Sequence, residues 1–124
     1  MATTQISYTE PTPNGAGATL DAETLVAAPT DDMQIQNAEP EQTILVVTNT
    51  DGGGGTVDIT VKAGPNPPAL AGGQGDLVET VADGDTVYIG PFESGRFLQS
   101  DGSMMIESDA TTGTIGALFV SRKA

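Results

Sequence analysis

The chain contains no cysteine, histidine or tryptophan, and it therefore lacks the commonest general base and the thiol nucleophile of enzymes. Without cysteine there is neither a disulfide nor thiolate chemistry, so the composition does not indicate whether the protein works in an oxidising or a reducing compartment. Without histidine there is no Ser-His-Asp or Cys-His triad. Glycosidases need only two carboxylates, but they also need aromatic surfaces, and the chain has only two Tyr and three Phe. We therefore predict a protein that is not an enzyme and uses no cofactor.

Positive charge is also scarce. Four Lys and Arg residues stand against 17 Asp and Glu, which gives a formal net charge of −13, and the first base is Lys62. Such a surface repels nucleic-acid phosphates and anionic lipid head groups, because binding to either requires cations. The chain has neither an apolar run long enough to span a bilayer nor a signal-peptide pattern in MATTQISYTE. We expect synthesis in the cytoplasm, with no nucleic acid and no membrane as partners.

Glycine and proline are abundant, at 16 and 8 of 124 residues, and they favour turns over long helices. TILVVTN, at 43–49, is apolar at odd and even positions alike, which predicts a strand covered on both faces. TVDITVKA, at 56–63, alternates between apolar and polar residues. The run DGGGG between them lacks the lysine of a phosphate-binding loop and predicts a hairpin connection instead.

Further strands follow the same signals. DLVETVA and DTVYIG flank the turn DGD and predict a second hairpin, and RFLQS, SMMIESD and TIGALFVS predict three more strands. LDAETLVAAPTDD fits either a short helical turn or a strand. About seven to eight short strands indicate an all-β fold, an antiparallel β-sandwich of the Ig-like or jelly-roll-like kind. Residues 1–19 lack periodicity and predict a flexible N-terminal arm, followed by a β-sandwich domain at 20–124.

The segment YIGPFESGRFLQSDG, at 88–102, gathers three of the aromatic residues and one of the bases. Gly90-Pro91 is predicted to end a strand, because proline cannot donate to a ladder, and the chain is predicted to turn at Ser94-Gly95 into a new strand. In one interpretation the rings fill the open end of the sandwich and the base pairs with an acid. In the other, they anchor a partner, because Tyr and Arg are enriched at binding hot spots.

The candidate interaction residues are therefore those of this segment together with two from the arm, since an ordered arm can add a strand to a partner. They are Tyr88, Phe92, Arg96, Phe97, Ile6 and Tyr8. Acidic turns such as ADGDT offer oxygen ligands, but none matches the calcium-binding loop pattern, and Asp-Gly pairs are ordinary turn chemistry. No metal site is predicted.

The motif GDTVYIGPFESGRFLQSDG, at 84–102, stands between the paired strands before it and GTIGALFV after it. This arrangement, over about residues 43–122, resembles small β-sandwich proteins encoded beside the major capsid gene in tailed phages and archaeal tailed viruses. The resemblance implies a virion structural protein on the capsid surface, a decoration or auxiliary head protein. Its implied partners are the major capsid protein and further copies of itself, as a homotrimer.

The chain departs from that pattern in its charge and in its long N-terminal segment. Excess acid with scarce lysine resembles proteins of salt-loving hosts, and in molar salt a Debye length of about 3 Å would screen the repulsion between copies. Two other functions stay open. One is a carbohydrate- or host-binding module built on Tyr88 and Phe92 beside Asp83 and Asp85, and the other is a structural role in the tail or the head–tail joint.

Overall fold

The computed structural model describes residues 2–10, 20, 22–27, 31–64, 76–92 and 94–120. These residues form ten strands, one short 3₁₀ helix (Pro40–Gln42) and one four-residue helix, α1 (Ser94–Phe97). No helix among them is long and apolar enough to cross a membrane. The strands are β1 (Ala2–Gln5), β2 (Tyr8–Thr9), β3 (Glu23–Thr24), β4 (Asp31–Ile35), β5 (Thr43–Asn49), β6 (Val57–Val61), β7 (Leu77–Val81), β8 (Thr86–Ile89), β9 (Met104–Ser108) and β10 (Gly113–Phe119).

The strands form two sheets that enclose one core. The first sheet has the order β1-β4-β9-β6-β7, and the second has the order β2-β10-β5-β8, with β3 also paired to β10. Among the described strands every pairing is antiparallel except β1 with β4 and β2 with β10. The prediction of an all-β sandwich is therefore confirmed.

The two predicted hairpins, in contrast, are wrong. β5 pairs with β10 and β8 in the second sheet, whereas β6 pairs with β9 and β7 in the first. β7 and β8 likewise belong to different sheets. The turns after β5 and β7 therefore carry the chain across the sandwich. Alternation reveals which face of a strand is buried, but it does not reveal the partner, because both sheets bury the same kind of face.

The core lies between the two inner faces, and the strand pattern follows from it. In β6, Val57, Ile59 and Val61 are buried, whereas Asp58 and Thr60 are partly exposed. The cluster of buried apolar residues is continuous through both sheets, and its members are Ile6, Leu25, Met33, Ile35, Leu45, Val47, Val57, Ile59, Val61, Val81, Ile89, Phe92, Phe97, Met104, Ile106, Ile115 and Ala117.

β5 is covered on its outer face as well as its inner face, as its sequence predicted. Val46 points away from the core and is still only 7 % exposed. Its ladder partner is Gly116 of β10, and a Cβ at that glycine would lie 2.8 Å from a methyl group of Leu20. Leu20 therefore lies over this part of the outer face, and the absence of a side chain at Gly116 gives it the room.

Residues 2–10, which were predicted as part of a flexible arm, lie in the sandwich. β1 extends the first sheet beside β4, and β2 extends the second beside β10, so one extended segment runs along both sheets. Ile6 lies between these strands and is only 3 % exposed, and its N–H donates to the carbonyl of Gln34 at 2.8 Å. Residues 11–19 of the predicted arm lie outside the described residues.

Tyr8 fixes this segment through a closed ring of hydrogen bonds. The hydroxyl of Thr43 donates to the carbonyl of Glu39 at 2.6 Å, so the Tyr8 hydroxyl donates to the oxygen of Thr43, also at 2.6 Å. The N–H of Glu39 in turn donates to the Tyr8 hydroxyl at 2.9 Å. The Tyr8 ring also lies 5.4 Å from that of Phe119. Both polar and aromatic contacts therefore hold the N-terminal segment to the domain.

The glycine-rich loop between β5 and β6 is fixed by two carboxylates. The N–H groups of Gly52 and Gly54 donate to the two carboxylate oxygens of Asp83, at 2.7 and 2.8 Å. The other two glycines of the loop donate to Asp51 at 3.1 and 3.0 Å. Hydrogen bonds from Gly52, Gly54 and Gly84 keep the pKa of Asp83 below its ordinary value of 3.8, because they stabilise the charged form.

The N-terminal segment provides a direct test of its place in the core. We expect Ile6→Ala to lower the free energy of unfolding by about 2–5 kcal/mol, because it deletes buried methyl groups and leaves a cavity. Ser7→Ala changes an exposed neighbour and should stay within about 0.5 kcal/mol. Urea unfolding of both variants makes the comparison, and a neutral Ile6→Ala would mean that the segment is not part of the core.

The Asp83 contact predicts a dependence on pH. Because the pKa of Asp83 is lower in the folded chain, its contribution to stability is present above the unfolded pKa and is lost as the pH falls through the folded pKa. Asp83→Asn should therefore be most destabilising near neutral pH, and the difference from the wild type should shrink below pH 3.8. Urea titrations across this range measure it.

The matched control for this substitution is Asp85→Asn, because the Asp85 carboxylate accepts no hydrogen bond from a described residue. A difference between wild type and Asp83→Asn that stays constant or grows on acidification would contradict the assignment.

Candidate functional site

Two sheet edges lie on the same side of the sandwich. β7 is the last strand of the first sheet and β8 is the last strand of the second, and only residues 82–85 separate them in the chain. On the opposite side, β1 and β2 of the N-terminal segment form the edges. Among the described residues, no strand pairs with the outer edge of β7 or β8. The backbone groups on the outer edges of β7 and β8 therefore have no ladder partner among the described strands.

The ladder of β8 shows which backbone groups these are. The N–H of Asn49 donates to the carbonyl of Asp85 at 3.0 Å, and β5 and β8 continue in register from that pair. In an antiparallel ladder alternate residues bond to the partner strand, so Val87 and Ile89 face β5. The N–H and C=O groups of Thr86 and Tyr88 consequently point to the open edge.

The same alternation holds for β7. The N–H of Lys62 donates to the carbonyl of Met105 at 2.9 Å, so the backbone of Thr60 also faces β9 and that of Ile59 faces β7. Ile59 pairs with Glu79, so the outward backbone groups of β7 are those of Val78 and Thr80. Each of the two edges thus has two residues whose backbone N–H and C=O groups pair with no described strand.

A groove with a volume of about 490 Å³ lies between these edges. Its apolar lining comes from both strands and from the segment after β8, and these residues are Leu77, Val87, Ile89, Pro91, Phe92 and Phe97. Four lining residues have polar side chains, namely Glu79, Thr80, Tyr88 and Arg96. The groove therefore combines an apolar floor, one carboxylate and one guanidinium.

The end of β8 is shaped by a glycine. Gly90 has a φ of +127°, and a Cβ there would lie 2.5 Å from the carbonyl oxygen of Thr43, so no other residue fits. The strand ends at Ile89, as the Gly90-Pro91 pair predicted. The chain then turns back towards the core, where the N–H of Phe92 donates to the carbonyl of Pro40 at 3.0 Å.

The two phenylalanines of this segment form one unit. Their ring centroids are 5.5 Å apart at 80°, an edge-to-face contact, and the rings of Phe92 and Phe97 are only 4 % and 3 % exposed. Ser94–Phe97 forms the helical turn α1, so the predicted strand starting at Arg96 is wrong. A strand would alternate its side chains between two faces, whereas one helical turn brings Phe97 back under Phe92.

Arg96 lies over the rim of the groove. Its guanidinium carbon is 4.7 Å from the centroid of the Phe97 ring, in a cation–π contact, and its Nη2 donates to the carbonyl oxygen of Asp76 at 3.5 Å. The guanidinium therefore lies over the aromatic floor of the groove. This position orders the side chain and keeps its charge at the mouth of the groove.

The start of β7 is fixed by an ion pair. Nζ of Lys62 lies 2.9 Å from the Asp76 carboxylate and 3.7 Å from that of Glu107, and the hydrogen bond to Asp76 is the main cause of the raised pKa of Lys62. Burial raises the pKa of Asp76, but hydrogen bonds from Ala63 and Lys62 and the nearby charge of Arg96 outweigh it and lower that pKa. The lysine is thus engaged within its own chain.

Four of the six predicted interaction residues come together at the groove, namely Tyr88, Phe92, Arg96 and Phe97. Phe92 and Phe97 are core residues, as the first interpretation of the segment has it, whereas Tyr88 is 68 % exposed. Ile6 and Tyr8 belong to the opposite side of the sandwich and do not join them.

Val78 and Glu79 were not predicted from the sequence as residues of this side. Val78 is 54 % exposed, and Glu79 stands on the face of β7 that also carries Leu77 and Val81. The signal was a carboxylate in an apolar alternation, at a position where a core residue is the usual choice.

The described residues offer little to a metal ion or a sugar. They contain no group of three or more acidic side chains placed to hold a metal. Both carboxylate oxygens of Asp83 accept backbone hydrogen bonds, and the Asp101 carboxylate accepts two from Ser103, which lower its pKa. Phe92 is buried, so Tyr88 is the one ring of the proposed sugar platform that is exposed.

Comparisons of the chain with protein-family models, with curated proteins and with solved structures give no match.

Substitutions of the exposed ring and of a buried ring at the groove should change the free energy of unfolding by very different amounts. Tyr88→Ser replaces an exposed side chain and should change the free energy of unfolding by no more than about 0.5 kcal/mol. Phe92→Ala should cost about 3–5 kcal/mol, because it empties a buried ring site. Thermal and urea unfolding compare the two. A strongly destabilised Tyr88→Ser would show that this ring is structural and is not free to contact a partner.

Proposed function

We propose that this chain is a non-enzymatic structural protein of a virus particle that binds the outside of the capsid and reinforces it. The observation that carries the proposal is the open side of the sandwich. There, two sheet edges are open beside a groove with a mixed polar and apolar lining, whereas the N-terminal segment lies along the opposite side. Unpaired sheet edges beside a groove favour association with another protein.

The choice of a capsid as the partner depends on the resemblance of residues 43–122 to proteins encoded beside major capsid genes. The chemistry of the chain supports a structural role, because it has no histidine or cysteine to act as a base or a nucleophile. The groove carries a carboxylate and a guanidinium on an aromatic floor, which suits recognition of a side chain or a peptide.

Attachment in many copies fits a small rigid domain. A capsid presents the same site repeatedly, so contacts that are weak singly become effective together. A homotrimer at a local symmetry axis would present three grooves to the lattice. The charge of −13 opposes such crowding at low ionic strength, and a medium of high salt would relieve that repulsion.

Locating the chain on intact particles tests the proposal. We expect immunogold labelling with an antibody against the chain to decorate the outer surface of the heads, and mass spectrometry to find the chain in a fixed ratio to the major capsid protein. Recombinant chain added to particles stripped of it should rebind and saturate. Labelling confined to the tail or to the head–tail joint, or absence of the chain from purified particles, would overturn the capsid assignment.

A further inference from the structure

We infer that the groove binds an extended, positively charged segment of a partner protein, which adds as a new strand to the outer edge of β8. The inference rests on the proposed function, because it names the surface through which that binding would occur. It commits to the mode of binding, which is backbone pairing, and to the chemistry of the occupant, which is a basic segment with apolar residues.

The backbone of β8 provides the template. The N–H and C=O groups of Thr86 and Tyr88 point away from β5, and no described strand pairs with them. An extended segment laid beside β8 would take up these groups in a regular ladder, which is how exposed sheet edges bind peptides. Gly90-Pro91 ends the template after Ile89, so the new ladder would be short.

The groove provides the side-chain sites. Neighbouring strands of a sheet are about 4.8 Å apart and packed sheets about 10 Å apart, so a strand added to β8 would lie along the mouth of the groove. Alternate side chains of that strand would point inward, towards the apolar surface of Ile89, Phe92 and Phe97. The side chains between them would lie on the outer face beside Tyr88, which is 68 % exposed.

The charge of the groove selects the occupant. Glu79 lines the groove and forms no ion pair with a described residue, whereas Lys62 is paired with Asp76 and Glu107. Arg96 also lines the groove and keeps its positive charge, so the excess negative charge that favours a basic partner comes from the chain as a whole. A carboxylate beside apolar walls is stabilised by a cation from the partner.

The net charge of the whole chain also favours a basic partner. Its net charge of −13 attracts basic segments and repels acidic ones. A second copy of this chain carries the same charge, so self-association through this edge is disfavoured compared with a basic partner segment.

Short synthetic peptides provide the probe. The first is acetyl-TVTKTVTKT-amide, in which the apolar and basic residues share one face of an extended strand. The matched peptides carry Glu or Gln in place of both Lys. We expect calorimetry with the purified protein at low salt to show binding of the Lys peptide, with the Glu peptide weaker by about tenfold or more. The amides of Thr86 and Tyr88 should exchange rapidly in the free protein and slowly in the complex.

Thr86→Pro isolates the backbone contribution. Proline removes the outward N–H of Thr86 but none of the hydrogen bonds to β5, and edge strands accept it at such positions. Thr86→Val is the control, because both substitutions remove the hydroxyl contact with Thr48 at 2.9 Å, while valine keeps the N–H. We expect the Lys peptide to bind Thr86→Pro at least about tenfold more weakly than Thr86→Val.

Glu79→Lys tests the charge and does not depend on the folding of the proline variant. Reversing this charge should narrow the preference for the Lys peptide over the Glu peptide, because the rest of the chain stays strongly acidic. Raising the salt concentration should narrow the difference between these two peptides, while the effect of Thr86→Pro persists, because only the charge contribution is screened.

Four results with the purified protein would overturn the inference. They are failure of every peptide to bind, equal binding by Thr86→Pro and Thr86→Val, equal binding of the Lys and Glu peptides at low salt, and self-association of the wild type that Thr86→Pro abolishes. The last would identify a second copy as the occupant. If Thr86→Pro still rebinds stripped particles like the wild type, the capsid function stands and this inference fails. If the peptides behave as expected but the chain is absent from particles, the reverse holds.

Discussion

The hydrogen-bonding demand of sheet edges is the constraint on which the rest of this structure depends. A sandwich of two open sheets has four edges, and each edge leaves backbone groups without a ladder partner. On one side of this domain the N-terminal residues 2–9 run along both sheets and place Ile6 in the core between them. On the other side β7 and β8 keep their edges open, and a groove has formed between them. Both sides end in edge strands, and the groove between β7 and β8 is what marks this side as the candidate binding face.

Charge and rigidity act together at that face. Lys62 is held by its ion pairs at the start of β7, and Arg96 is held on the ring of Phe97, so the positive charges among the described residues are ordered by contacts within the chain. The exposed carboxylate of Glu79 lies in the groove, in a chain whose formal net charge is −13. A partner is selected by opposite charge as well as by the fit of an extended strand.

Much of the fold was predictable from local pattern. The strict alternation of β6 and the apolar run of β5 located both strands, and Gly90-Pro91 marked the end of β8. Strand partners were not predictable, because alternation fixes the buried face of a strand but not its neighbour. β1 and β2 were missed because strands of four and two residues are too short to show a period, and their stability comes from the sheets that they join.

For the groove, too, some features were predictable from the sequence and others were not. The sequence by itself determined that Tyr88, Phe92, Arg96 and Phe97 form a cluster, since they are close in the chain and rare in its composition. Only the tertiary structure decided that Phe92 and Phe97 are buried, that Tyr88 is exposed, and that Glu79 of another sheet stands beside them. The physical reason is that the exposure of a side chain and its distance from other side chains depend on how the two sheets pack. Residues of different sheets are not joined by a strand ladder, so they come together only when the two sheets pack around the core.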